Sequence, residues 1–472
     1  MVFSSVLFLL YFLPIFLLIY HIVPKSWKNY IILFASIVFY AWGAPKFLFV
    51  ILVAIIITFY LVGLLYKAKD RKRKRLFSTI AIVLNLGLLA YFKYANFFID
   101  SVNYLISSFG FSPMKWIEIA LPIGISFYTF HSITYIIDAY RNVHKPFSKL
   151  SDFAIYIMAF PHMVAGPIVR FNTIADQITS RKETIDDKLL GFYRFSIGLA
   201  KKVLIANIMA YQADIIFNGN IIELSTPNAW LGIIAYTFQI YFDFSGYSDM
   251  AIGLALMMGL KFPENFDLPY TSKSITEFWR RWHITLGSFM KDYLYIPLGG
   301  NRVRKQRIYF NLWLVFLVSG LWHGANWTFV AWGAFHGFFL VLDKMFMLKV
   351  LKKIPAFFST LLTFLVVMIG WILFRSNSLD FAFTYIQRLF SFTFNNDFIP
   401  NQDFIIMLFF AIFFAFITSF KFGQKIKDFF FTKTIYNKKE HIALSLIAIL
   451  LLFVSIAFIV SSDFNPFIYY RF

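Results

Sequence analysis

KFLFVILVAIIITFYLVGLLYKAKDRKRKR, residues 46–75, holds the two signals from which the fold follows. Phe47 to Tyr66 carries no charged side chain. As a helix rising about 1.5 Å per residue it is about 30 Å long, the thickness of a bilayer's apolar core. Then the pattern inverts: Lys67–Arg75 holds seven Lys or Arg in nine residues. Such a loop stays on the cytoplasmic side, because short basic loops are retained there. One stretch thus predicts a spanning helix and its direction.

The whole chain repeats this pattern. Of 472 residues, 60% are hydrophobic and 14% charged, with a mean hydropathy of +0.69. Soluble domains carry about 45–50% apolar and about 25% charged residues. The composition excludes a soluble globular protein and points to an all-α, polytopic membrane protein. The alternating ten-residue segments of a transmembrane β-barrel are absent. The net charge of +20 comes without a nucleic-acid-binding motif. It belongs to cytoplasmic loops facing anionic lipid headgroups. With no cysteine, disulfides, thiolate metal sites and cysteine nucleophiles are ruled out, but the compartment is not fixed. Val2–Val23 lacks a basic leader and a small-residue cleavage site, so it reads as a retained first helix.

Spanning helices are expected near 2–23, 29–43, 46–66, 76–95, 116–139, 188–212, 229–260, 308–322, 325–345, 356–375, 402–420 and 440–460, about 11–12 in all, within one domain, 1–472. Counting from the basic loop puts the N-terminus outside. The loops 140–187, 261–307, 346–355 and 421–439 then fall inside, and all four are basic. No Lys or Arg occurs between Val203 and Leu260, as an excursion to the outer face requires. Residues 152–168, broken by Pro161 and Pro167, read as re-entrant or tucked under the bundle. Residues 275–296 are too polar to face lipid, so they lie at the cytoplasmic surface or dip into a cavity.

Residues 265–336 concentrate the unusual chemistry, NFDLPYTSKSITEFWRRWHITLGSFMKDYLYIPLGGNRVRKQRIYFNLWLVFLVSGLWHGANWTFVAWGAFH. Ser274 and Glu277 fit a capping box, so a helix starts at Ile275 and sets Trp279 and His283 on one face. Arg280 and Arg281 then point towards Glu277 or an anion. The plain alternative is a surface helix at the lipid interface. His323 lies between Trp322 and Gly324, where two helices join. A helix over 308–322 is only about 22 Å long, which places His323 inside the membrane. An ionisable group at that depth reads as functional; the alternative is a buried neutral imidazole held by a backbone carbonyl. A third polar site, Gln239 to Asp249, interrupts an apolar run. Gln239, Asp243 and Tyr247 share a helix face. Asp243 and Asp249 orient a histidine, or pair with Arg194, Lys201 or Lys202, or form a structural knot between helices.

Two histidines without close spacing do not make a metal site, and no serine sits on a nucleophile elbow. A general base remains. A neutral imidazole takes the proton of an acceptor hydroxyl while that oxygen attacks a thioester carbonyl, which typically contributes about 10²–10⁴-fold. The second histidine, or the amide of Asn326, would stabilise the oxyanion.

These residues carry a resemblance. FWRRWH (278–283), DYLYIPLGGNR (292–302) and SGLWHGANWTFVAWG (319–333) resemble the membrane-bound O-acyltransferases (MBOAT), in the bacterial branch of the alginate O-acetyltransferase membrane subunits. FPHMVAGPIVR (160–170), GLAKKVLIAN (198–207), FDFSGYSDMAIG (242–253) and NPFIYYRF (465–472) extend it over nearly the whole chain. The resemblance implies a ring of helices around a thin centre with a tunnel, in the bacterial cytoplasmic membrane. It implies His323 as the catalytic base and His283 as the second catalytic residue. It also implies a cytoplasmic thioester donor, acetyl-CoA or another acyl thioester, with no bound cofactor. The acyl group would go to an extracytoplasmic polysaccharide through an esterase-like partner on the outer face. Arg280, Arg281, Lys291, Arg302 and Arg304 crowd the cytoplasmic mouth, where the donor's phosphates would sit. A transporter or flippase for a lipid-linked sugar, resting on Asp243, Asp249 and a wet cavity, is the competing reading. A scaffold for a surface-polymer synthase is a third.

Overall fold

The computed structural model describes residues 2–394, 400–462, 464 and 466. Among them the secondary structure is helical, without strands. The protein is a multi-pass helical membrane protein. Among the described residues, five helices are long and apolar enough to cross a membrane, namely Pro45–Lys67, Arg71–Ser108, Ala356–Arg375, Gln402–Ser419 and Lys438–Ser461. Leu7–Ile22 is a shorter apolar helix. Other expected spans are helices of different character. Thr226–Met257 runs 32 residues and is almost entirely buried, Asp243 and Asp249 included. It is solvated by protein rather than by lipid, which is why it can carry carboxylates.

Two boundaries move substantially, and the span expected to end at 95 runs on to Ser108. The helix expected from 116 begins only at Ile125 and runs to Tyr140. Pro113 and Pro122 lack the N–H a helix needs, and Gly124 precedes the helix at φ +77°. A Cβ at Gly124 would come within 2.6 Å of the Met163 carbonyl oxygen, so the chain turns where only glycine fits. Residues 152–168 form two short buried helices, Leu150–Met158 and Phe160–Met163, split at Ala159. Of the terminal motif 465–472, all but Pro466 lies outside the described residues.

Contacts gather the chain into two compact units, Met1–Lys188 with Ala255–Phe262, and Leu189–Leu254 with Pro263–Phe472. In the first, Phe160 is ringed by Phe3, Phe8, Phe12, Phe16 and Phe39, edge-on or tilted at 5.1–6.4 Å between ring centres. Lys28 Nζ meets Glu183 Oε2 at 2.6 Å, and the Tyr20 hydroxyl donates to Glu183 Oε1 at 2.8 Å. In the second unit Lys305–His323 packs against Trp327–Leu342. A Cβ at Gly320 would collide with the Phe329 carbonyl, and one at Gly333 with the Phe316 carbonyl. The two glycines therefore let the backbones touch just below the turn that carries His323.

Candidate active site

The Ser274 side chain caps a helix by accepting the Glu277 N–H at 3.1 Å, as expected. The reciprocal bond comes one residue earlier than a capping box requires, from the Lys273 N–H to Glu277 Oε2 at 3.0 Å. This helix stops at Arg281. Trp282 is extended and His283 takes φ +45°, ψ +52°. The expected pairing of Trp279 and His283 on one helical face is thus corrected. Two backbone bonds draw the chain out of the helix: Asp267 N–H to the Arg281 carbonyl and Ile284 N–H to the Asn265 carbonyl, both 2.9 Å. A left-handed conformation is uncommon for any residue but glycine, though histidine adopts it more readily than most, and it recurs at functional sites. Trp279 packs elsewhere, on Phe316, Trp332 and His336 at 4.9–5.4 Å.

The same clip seats Asn265 against the imidazole. Asn265 Oδ1 lies 3.0 Å from His283 Nδ1, 2.8 Å from Thr285 Oγ1 and 3.3 Å from Thr285 N. Asn265 Nδ2 donates to Ser248 Oγ on the helix Thr226–Met257 at 3.1 Å. Asn265 is fully buried, and His283 nearly so.

His323 is the last residue of Lys305–His323. That helix has 19 residues rather than 15, which is about 28 Å and close to a full apolar core. Helix length therefore does not place the turn at mid-membrane, and that expectation is corrected. Packing shows instead that His323 faces the protein interior. It is 6% exposed, with Trp322, Trp332 and Phe374 at 4.8–5.2 Å. Its ring centre lies 6.4 Å from that of His283, with Trp322 beside both. The two histidines, 40 residues apart in sequence, meet inside one packed unit.

Asn326 sits at a helix start. Its Oδ1 caps the helix Trp327–Leu342 through the Thr328 N–H at 3.0 Å, and its Nδ2 donates to the Asn377 carbonyl at 3.1 Å. Both polar atoms of its amide are thus engaged at this helix start. Asp243 takes the ion-pairing role. Lys202 Nζ lies 2.9 Å from Asp243 Oδ1, with both side chains 2% exposed. Asp249 is likewise held by Arg194 at 2.7 Å and Lys201 at 2.6 Å. The carboxylates behind the transporter reading are thus each bound to cations, of which Lys202 is buried and Arg194 and Lys201 are partly exposed.

Of the five basic residues assigned to the donor, Arg281 takes the Glu277 alternative that the sequence offered. It is bound to Glu277 at 2.9 Å and Asp267 at 3.5 Å. Arg280, Arg302 and Arg304 are exposed and, among the described residues, without an ion pair. Lys291 is exposed and 4.0 Å from Asp292. Two residues escaped the sequence reading although both end the quoted stretch. Asn265 opens it and His336 closes it. Asn265 gave no local signal, because its partner lies 18 residues away. His336 is fully buried amid Trp279, Trp332 and Phe335; its position four residues after Trp332 was the available hint.

A polytopic helical membrane protein that closes two imidazoles inside its own packing is equipped for proton transfer at an internal site. The model of the membrane-bound O-acyltransferase family matches residues 34–374, and the chain belongs to that family. It is 48% identical to "Probable alginate O-acetylase AlgI" of Azotobacter vinelandii, over 83% of this chain and 78% of the relative. It is 36% identical to the peptidoglycan O-acetyltransferase of Helicobacter pylori, over 81% of this chain and 78% of the relative. A teichoic acid D-alanyltransferase of Bacillus subtilis is 30% identical over 48% of this chain and 59% of the relative. The protein is a membrane acyltransferase.

Proposed function

We propose that the protein transfers an acetyl or other short acyl group from a cytoplasmic thioester, acetyl-CoA or its equivalent, towards hydroxyls of an extracytoplasmic polysaccharide. The observation that carries this reading is the pairing of His283 and His323 at 6.4 Å between ring centres, inside the protein. The names of the relatives support acyl transfer to cell-surface polymers. A hydroxyl within about 2.6–3.2 Å of an imidazole nitrogen is in reach of general-base catalysis. The acceptor is deprotonated by an imidazole as its oxygen attacks the thioester carbon. The C–O bond forms, the C–S bond breaks, and the imidazolium returns the proton to the leaving thiolate.

His323 is the base in this reading, and the protein sits in the bacterial inner membrane with its N-terminus outside. An esterase-like protein on the outer face receives or directs the acyl group. Arg280, Arg302 and Arg304 meet the donor's phosphates, since exposed unpaired guanidinium groups suit bidentate phosphate contacts. The deciding experiment measures acyl ester on surface polysaccharide. His323→Ala should abolish the ester while polymer yield, protein amount and membrane insertion are unchanged. Ester within threefold of wild type would remove His323 from the mechanism, and loss of the polymer itself would favour export.

A further inference from the structure

We infer that Asn265 is a positioning residue that locks His283 in the tautomer carrying its proton on Nδ1, leaving Nε2 bare as a hydrogen-bond acceptor. This rests on the acyl-transfer reading for its purpose, though not for its geometry. A backbone N–H can only donate, and the Thr285 N–H points to Asn265 Oδ1 at 3.3 Å. The oxygen of the amide must therefore face Thr285 and His283, with the nitrogen towards Ser248 Oγ at 3.1 Å. An amide oxygen can only accept. The His283 nitrogen 3.0 Å from it, Nδ1, must hold the hydrogen. In a neutral imidazole the other nitrogen then has only a lone pair. That atom, Nε2, is enclosed and has no protein hydrogen-bond partner.

The chain invests several features in this one contact. Asn265 Oδ1 collects three hydrogen bonds, two of them from Thr285. The Asn265 carbonyl accepts the Ile284 N–H at 2.9 Å, which pins the residue after His283. His283 itself is held at φ +45°. The ring is further wedged by Phe244, perpendicular at 4.7 Å. A buried polar atom without a partner is rare and calls for an explanation. Here the lone pair is kept to accept a hydrogen bond from another hydroxyl of the incoming acceptor, while His323 takes the proton of the attacking one. The neutral ring cannot donate from Nε2, so His283 does not serve as the oxyanion donor that the sequence suggested. It is the second acceptor of the pair, on the ring-edge opposite its clamp.

The test compares Asn265→Ala and Asn265→Asp in the full chain in membranes, with matched protein amounts and melting temperatures. Alanine removes the acceptor for Nδ1–H. It should lower kcat about 100-fold or more, within the range of general-base catalysis and below the roughly 10⁴-fold loss from a wrong histidine tautomer in a serine protease. The donor's KM should stay within threefold. Aspartate still accepts from Nδ1–H and from Thr285, and Ser248 can turn its hydroxyl to donate, so activity should return to within tenfold of wild type. Alanine within threefold of wild type overturns the inference. So does equal impairment of both variants, since that marks a purely structural asparagine. If neither variant accumulates, ¹⁵N-histidine spectra of the wild-type protein in lipid decide. The signal removed by His283→Gln should show a bare Nε2, and a protonated Nε2 in the neutral ring overturns the inference. A wild-type protein that forms no ester refutes the acyl-transfer reading alone, because the spectra still judge the clamp.

Discussion

Lys202 and Asp243 show how single residues are constrained inside this protein. Each is 2% exposed and each is the other's counter-ion. Removing one partner of a buried pair leaves the other charge stranded, typically at about 3–5 kcal/mol. Asp243→Leu should therefore sharply lower the melting temperature of the detergent-purified protein. The double change Lys202→Met with Asp243→Leu should recover most of the loss, because apolar replacements of buried pairs are often near neutral. A double variant no better than the single would show that the pair does more than balance charge. At the basic mouth, residues with similar sequence roles separate. Arg280→Ala, Arg302→Ala and Arg304→Ala combined should raise the apparent KM for the acyl thioester about tenfold, as the loss of one to two charge-assisted contacts implies. An unchanged KM would retire that site. Arg281→Ala should instead weaken the fold locally, because its guanidinium is spent on Glu277 and Asp267.

At the scale of elements, backbone contact places His323. Gly333→Leu would drive a side chain into the Phe316 carbonyl of the facing helix. The pair Lys305–His323 and Trp327–Leu342 should separate, and either protein accumulation or ester formation should collapse. Gly87→Ala is the control, since nothing lies within 4 Å of its Cβ position. Within a helix that change is neutral or stabilising by about 0.5–1 kcal/mol. Equal melting temperatures for the two variants would refute the packing account. Glu183 fastens the loop before the helix Ile185–Ala200. Burial pushes its carboxyl up, but hydrogen bonds from Lys28 and Tyr20 outweigh that and hold it below the usual carboxylate range. A depressed carboxylate contributes stability that is present at neutral pH and is lost as the pH falls through its folded value. The destabilisation caused by Glu183→Gln should accordingly shrink as the pH is lowered below about 4, near the ordinary glutamate value. A pH-independent difference would show that shape, not charge, holds the loop.

At the scale of the molecule, the absence of cysteine makes orientation directly measurable. A single cysteine introduced at Asp70, in the basic loop, should react with an impermeant thiol reagent only from the cytoplasmic side. One at Ile222, 70% exposed in a loop free of Lys and Arg, should react only from outside. The opposite labelling would invert the orientation and place the donor on the wrong face.

The class of fold was legible because lipid imposes a simple rule: backbone polar groups must be satisfied within each span, and side chains there must be apolar. Pro45–Lys67, Ala356–Arg375 and Lys438–Ser461 match expectation to within two residues at each end. The rule loses force where protein replaces lipid as the solvent. Thr226–Met257 carries buried carboxylates that only neighbouring helices can neutralise. The motifs at His283 and His323 could likewise be found by eye, because histidines that follow tryptophans are conspicuous in an apolar chain. By itself, then, the sequence determined the medium, the helical class and the two imidazoles worth watching. It could not determine that they meet, that the helix before His283 breaks, or that Asn265 sets its proton. Those depend on backbone contacts between segments distant along the chain, which residue-to-residue periodicity does not encode.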